Sequence, residues 1–297
     1  MKYPKPFLSY EQQADLLLSR GLIADRAELI ARIQTVNYYR LSGYLYPHRL
    51  PDDMFKVGTN LATVWRQYTF DRRFRLMILD AIERMEIAVR SRLAYLHAQY
   101  YGPFGYLDQK NLPGLDPMDH TRLKQELAKD IVQSKEQYIL HFRTKYQDSH
   151  ELPPIWVTVE QMTIGKTVTF YRGCSSSIQR EIAAWFNVPD RVMFSWLRTL
   201  NEVRNVCAHH GRLWNRDLGN NLLLPNERKY PEWYKPYRVP QDKMFGVLCM
   251  LQYELKTVAP TSRWRERLLA LLDEYSDIPI SWMGFPKNWE EGPLWRK

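Results

Sequence analysis

The sequence predicts an all-α protein, on three observations. Apolar residues recur at spacings of three and four through most of the chain, which is the repeat of one buried helical face. Side-chain caps and stop glycines punctuate those segments. The longest periodic segment, from Thr59 to about Tyr100, contains no proline, so nothing in it forces a break. The expected architecture is a small N-terminal helical unit with its connector over residues 1–50, then a helical bundle over 51–297.

Ser9-Tyr10-Glu11-Gln12 is a capping box, and Gly21 sits where the first helix stops. Asp25 with Glu28 starts a second helix that runs to about Val36. Asn37-Tyr38-Tyr39-Arg40-Leu41-Ser42-Gly43-Tyr44 reads as a bent aromatic connector, with a short extended piece at Tyr44-Leu45-Tyr46-Pro47. In the long segment, Leu61, Val64, Trp65 and Tyr68 are followed by Ile78, Ile82, Met85, Val89, Leu93 and Leu96. That pattern is one long bundle helix, or two with a break near Asp71. Tyr101-Gly102-Pro103 ends it. A charged helix is expected over about 119–146, then Pro153-Pro154 as a break, then helices at about 155–172, 177–187 and 190–210. Residues 211–240, with Pro225, Pro231, Pro236 and Pro240, form a long loop of a kind that tends to be functional or mobile. Helices at about 241–258 and 261–275 precede a tail rich in Trp and Pro.

With 297 residues and 45% hydrophobic content, the chain can build one large core or two small ones. Most of its 10 Trp and 19 Tyr are expected to be packing residues. Net charge is +9 with a pI near 9.3, the balance of a nucleic-acid binder. Arginine and aromatic residues interleave at Arg72-Arg73-Phe74-Arg75 and at Arg263-Trp264-Arg265-Glu266-Arg267, which suits phosphate and base contacts or a solvated helix face. Cys174, Cys207 and Cys249 are three and far apart, against a disulfide framework or a paired-cysteine zinc site. No metal or cofactor is expected. Met1-Lys2-Tyr3-Pro4 has no apolar signal core and no apolar run approaches membrane-spanning length, so a cytosolic location with no membrane partner is expected.

The chemistry concentrates at Asn201-Glu202-Val203-Arg204-Asn205-Val206-Cys207-Ala208-His209-His210. Read as helix at about 100° per residue, Trp196, Leu200, Val203 and Cys207 form the buried stripe. Asn201, Asn205 and His209 ascend the opposite side as neighbours four apart, with Glu202 beside them. Arg204 lies about 140° from His209 around the axis and must swing over the small Ala208 to share its space. The arrangement therefore wants a substrate, or a second copy of the helix, across that face. His210 lies about 100° from His209 and is expected to support structure or to bind RNA.

Several segments together resemble one family. They are Lys5-Pro6-Phe7-Leu8-Ser9-Tyr10-Glu11, Asn37 to Tyr44, Phe70-Asp71-Arg72-Arg73-Phe74-Arg75, Asp80 to Arg84, Asn201 to Arg216, and Met283-Gly284-Phe285-Pro286 with Trp289. They are similar to the Abi-like family of bacterial abortive-infection proteins (the AbiD/AbiF group), and the resemblance covers nearly the whole chain. That family is grouped with the HEPN superfamily, whose hallmark is Arg-x4-6-His, often with a polar residue after the arginine. Arg204, Asn205 and His209 match it. The resemblance implies a HEPN-like four-helix-type core, a homodimer, and metal-independent RNA cleavage used against phage or as a toxin. It also implies, for some members, a small structured non-coding RNA that inhibits the protein.

On this reading an imidazole moves the proton of the RNA 2′-hydroxyl, and Arg204 holds the phosphate. Arg204, His209 and Asn205 are the catalytic candidates, and Asn201, Glu202 and His210 the supporting ones. Arg72, Arg73, Arg75, Arg212 and Arg216 are expected RNA contacts. The products would carry a 2′,3′-cyclic phosphate and a 5′-hydroxyl. Two other readings use the same residues: a module that grips a small RNA without cutting it, and a structural interaction protein with His209 in a buried polar network.

Overall fold

The computed structural model describes residues 6–146 and 150–296; Met1 to Lys5, with the start of the first family-like segment, lie outside them. Among the described residues there are twelve α-helices, short 3-10 turns and isolated bridges, and no sheet. The fold is all-α, as the periodicity predicts. Among the described residues, no helix is long and apolar enough to cross a membrane.

The N-terminal unit is α1 (Tyr10–Ser19), α2 (Arg26–Val36) and α3 (Tyr38–Leu45). The Ser9 capping box forms as read, with both halves closed. Asp25 caps α2 through the Glu28 amide. The expected bent connector is instead α3. Asn37 takes a left-handed φ of 69° between α2 and α3, and its side chain accepts from the Tyr39 amide. Leu41, Tyr44 and Leu45 then bury one face. The aromatic run is helical because its apolar positions have a core to meet, which local propensity does not report.

The axis of the bundle is α4 (Leu61–Tyr101), 41 residues without interruption, so about 60 Å long. Asn60 caps it and Gly102, at φ 75°, ends it. Phe70, Phe74, Ile78, Ile82, Met85, Val89 and Leu93 are buried along it. There is no break at Asp71, which is itself fully buried. Around this axis pack α7 (Ile155–Thr158), α8 (Ile164–Gly173), α9 (Ser176–Trp185), α10 (Asp190–Ala208), α11 (Met244–Val258) and α12 (Trp264–Glu274). The segment read as one helix over 119–146 is two, α5 (Pro117–Gln133) and α6 (Gln137–Lys145). The helix expected from 155 to 172 divides at Thr163, whose hydroxyl caps α8.

Eleven residues of α11, from Met244 to Leu255, are buried, making it the most enclosed helix. The three cysteines are free and buried. Among the largest fully buried side chains are Trp196, Trp214, Trp233, Trp264 and Trp295, which bears out the packing role expected for most aromatics.

The Arg263–Arg267 cluster serves this packing too. Trp264 Nε1 donates to the Met77 carbonyl at 2.8 Å, Arg265 donates to the Trp295 carbonyl, and Arg267 pairs with Asp80 at 2.5 Å.

Candidate functional site

The site is built at the C-terminal end of α10. Val192, Met193, Trp196, Leu197, Leu200, Val203 and Cys207 are its buried stripe, so the opposite face is left to solvent. The helix stops two residues sooner than the sequence suggests, at Ala208, with His209 as its C-cap. His210 takes the left-handed conformation, φ 57°. The His210 amide donates to the Cys207 carbonyl at 3.0 Å, and Gly211 to the Val206 carbonyl at 2.8 Å. This is the paired bond pattern of a Schellman stop, with a histidine where glycine is usual. The stop turns the backbone away immediately after His209 and leaves its imidazole at an exposed corner.

Asn205, Ala208, His209 and His210 are exposed, and Asn201 and Arg204 are half-buried. Asn205 Nδ2 reaches Asn201 Oδ1 at 3.5 Å, closing the four-apart amide pair read from the sequence. Among the described residues, neither the Arg204 guanidinium nor the His209 imidazole has a hydrogen-bond or ion-pair partner. Both side chains with the strongest chemical case are thus unengaged among the described residues. His209 is not in a buried network.

The supporting residues divide differently. Glu202 accepts from the Gly219 amide at 2.7 Å, the Asn220 amide at 3.0 Å and Asn220 Nδ2 at 2.8 Å. Its carboxylate anchors the long loop. The loop is pinned along α10 elsewhere as well. Trp196 Nε1 donates to the Leu223 carbonyl at 2.8 Å, and the Leu223 amide donates to Ser195 Oγ at 2.9 Å. These bonds tie the loop, expected to be functional or mobile, to α10.

Residues 210–214 are clamped from the other side by a buried polar hub that sequence reasoning missed. Asp71 accepts from the Trp214 amide at 2.6 Å, the Leu213 amide at 3.1 Å and the Tyr44 hydroxyl at 2.5 Å, and it pairs with Arg75. Arg75 also donates to the Gly211 carbonyl at 3.2 Å. Arg40 of α3 donates to the His210 carbonyl, and Arg212 returns a bond to the Gly43 carbonyl at 2.9 Å. The segment that fixes His209 is therefore held by α3 and α4 together. The signal was present in the sequence: Asp71 occupies a core position of α4, where an acid is rarely found unless it is partnered.

This hub corrects part of the expected RNA surface. Arg75 is buried, with its guanidinium engaged by Asp71, so it does not face a ligand. Arg73 pairs with Glu274 and lies over the Tyr275 ring. Arg212 is half-buried against Gly43. Arg72 and Arg216 are exposed. Among the described residues, Arg216 has a hydrogen bond to the Arg212 carbonyl, at 3.3 Å, and Arg72 has no hydrogen-bond or ion-pair partner.

No curated protein and no solved structure matches the chain. A family model described as Abi-like protein does match, over residues 31–215. That span runs from α2 through α10 and includes Arg40, Tyr44, Asp71, Arg75, Arg204, His209 and the clamped segment to Trp214. It is more than half of the chain, and its family suggests a role in abortive infection. The chain belongs to the Abi-like protein family.

Proposed function

We propose that the protein is an endoribonuclease of the HEPN type, acting in abortive infection of phage-infected cells or as a toxin. One observation carries the reading: among the described residues Arg204 and His209 stand without hydrogen-bond or ion-pair partners at the exposed end of α10, while their backbone is fixed from two sides by the Asp71 hub and by Glu202. Rigid support of an unengaged acid–base group and cation is what a catalytic site requires and what a core network does not.

RNA supplies its own nucleophile, so the reaction needs no metal. The 2′-hydroxyl gives its proton to an imidazole, and its oxygen forms a bond to phosphorus. The 5′-oxygen leaves, taking a proton from a second acid, so the ends are a 2′,3′-cyclic phosphate and a 5′-hydroxyl. Arg204 stabilises the negative charge on the crowded phosphate. Asn205 hydrogen-bonds the substrate or orients His209.

One imidazole cannot act as base and acid at once. We therefore place a second copy of α10 across the small exposed Ala208, with its own Arg204 and His209, in a cytoplasmic homodimer. Arg72 and Arg216 steer the RNA, and the family resemblance supports a small structured RNA as inhibitor.

The test is incubation of total RNA in EDTA with the wild type and with Arg204→Ala/His209→Ala. Cleavage by the wild type, and a loss of at least about 100-fold in the variant, supports the reading. A wild type that shifts RNA but never cuts it would favour a binding module instead.

A further inference from the structure

A cleft of about 310 Å³ lies between α8 and α10, adjoining the site at Asn201. One wall is the Gly165–Thr169–Arg172 face of α8 and the other is the Arg198–Asn201 face of α10. The half-buried Phe194 contributes an aromatic surface to the lining. Glu202 also lines the cleft, but the loop amides already occupy its oxygens. Arg172 and Arg198 are exposed, and each holds one polar side chain, Asp119 at 2.6 Å and Asn220 Oδ1 at 2.5 Å. A second cleft, of about 450 Å³, shares Gly165, Thr169 and Arg172 and continues along α8 past Lys166 toward Arg122.

From this geometry we infer a nucleotide subsite. A single-stranded RNA segment flanking the scissile linkage lies along α8, with one nucleotide in the α8–α10 cleft. The small volume fits one nucleotide, and an apolar ring between cations and amides is the chemistry that receives a base and its phosphate. Arg172 and Arg198 take phosphate oxygens, exchanging Asp119 and Asn220 for the ligand. Asn201 and Thr169 offer hydrogen bonds to the sugar or base edge. The amide pair Asn201–Asn205 links this subsite to the catalytic corner. The inference rests on the nuclease reading and names where its substrate binds.

The experiment measures anisotropy of a labelled eight-nucleotide single-stranded RNA on full-length His209→Ala protein, which binds without cutting. Arg172→Ala and Arg198→Ala should each weaken binding about 5- to 30-fold. Each should also make binding less salt-dependent, lowering the log–log slope by about 0.7 for every phosphate no longer neutralised. Arg198→Lys should restore part of the affinity. Arg180→Ala, exposed on α9 outside the cleft, is the control.

If the cleft variants bind as tightly as the control while the parent binds RNA, the subsite is wrong and the nuclease reading stands. If the parent binds no RNA, both fall. A mononucleotide that competes as well as the octamer would mark a pocket for a free nucleotide and overturn the strand assignment.

Discussion

Glu254 and His97 carry side-chain polar atoms into the core that find no hydrogen-bond partner among the described residues, and each makes stability depend on pH in its own direction. Burial raises the Glu254 carboxyl well above its ordinary 4.5. The folded chain therefore keeps a proton that the unfolded chain releases, and stability falls as pH rises above that value. Glu254→Met should stabilise the protein by about 1–3 kcal/mol at pH 8, and by less at pH 4.5, in paired thermal unfolding scans. An equal gain at both pH values would contradict this.

Burial beside Tyr101 and Phe170 pushes the His97 imidazole down to about 4 from 6.5, opposed weakly by the Asn111 backbone. Here the unfolded chain binds the extra proton. Stability present above pH 6.5 is lost as pH falls toward 4, by about 3 kcal/mol in all. His97→Leu should flatten that dependence in urea titrations at pH 7 and 4.5. An unchanged slope would show that His97 protonates in place.

At the scale of elements, the stop of α10 and its clamp decide where His209 points. Arg40→Ala removes one bond to the His210 carbonyl and should cost only about 1 kcal/mol of stability. If the clamp positions His209, RNA cleavage should lose about tenfold in kcat with KM unchanged, and Arg40→Lys should recover part of it. A change in KM alone would make Arg40 a substrate contact. Asp71→Ala leaves Arg75 buried without its partner, at about 3–5 kcal/mol, and should be read by unfolding rather than by activity.

The buried stripe of α10 and the exposed Asn205 and His209 were legible in the sequence because they depend only on helical period. The clamp was not. Its bonds join Arg40 to His210, Gly43 to Arg212 and Asp71 to Trp214, all pairs distant in sequence. The period alone leaves one long helix or a break near Asp71 open, and only the facing amides explain the burial of its carboxylate. The division between α5 and α6 has neither proline nor glycine at Ser134–Glu136, so nothing local announced it.

For the whole molecule, the family match ends at Asn215, yet the core does not. α11 lies beyond it and is nearly all buried against α4, so residues 31–215 alone would leave a large face of α4 uncovered. The proposed pairing of two chains through the end of α10 makes its own demand. Ala208→Arg alters an exposed residue and should leave the fold within about 0.5 kcal/mol of the parent. In sedimentation velocity it should shift dimer to monomer and lose cleavage with it. A dimer that survives, fully active, would place the pairing elsewhere.

The most direct measurement is mass spectrometry of product ends from a defined RNA oligonucleotide, natural or with 2′-hydrogen at the cut site, treated with wild type or His209→Ala in EDTA. The account predicts a 2′,3′-cyclic phosphate and a 5′-hydroxyl from the natural RNA with wild type, and no cut in the other combinations. A 5′-phosphate end, cleavage of the deoxy-substituted strand, or undiminished cleavage by His209→Ala would contradict it.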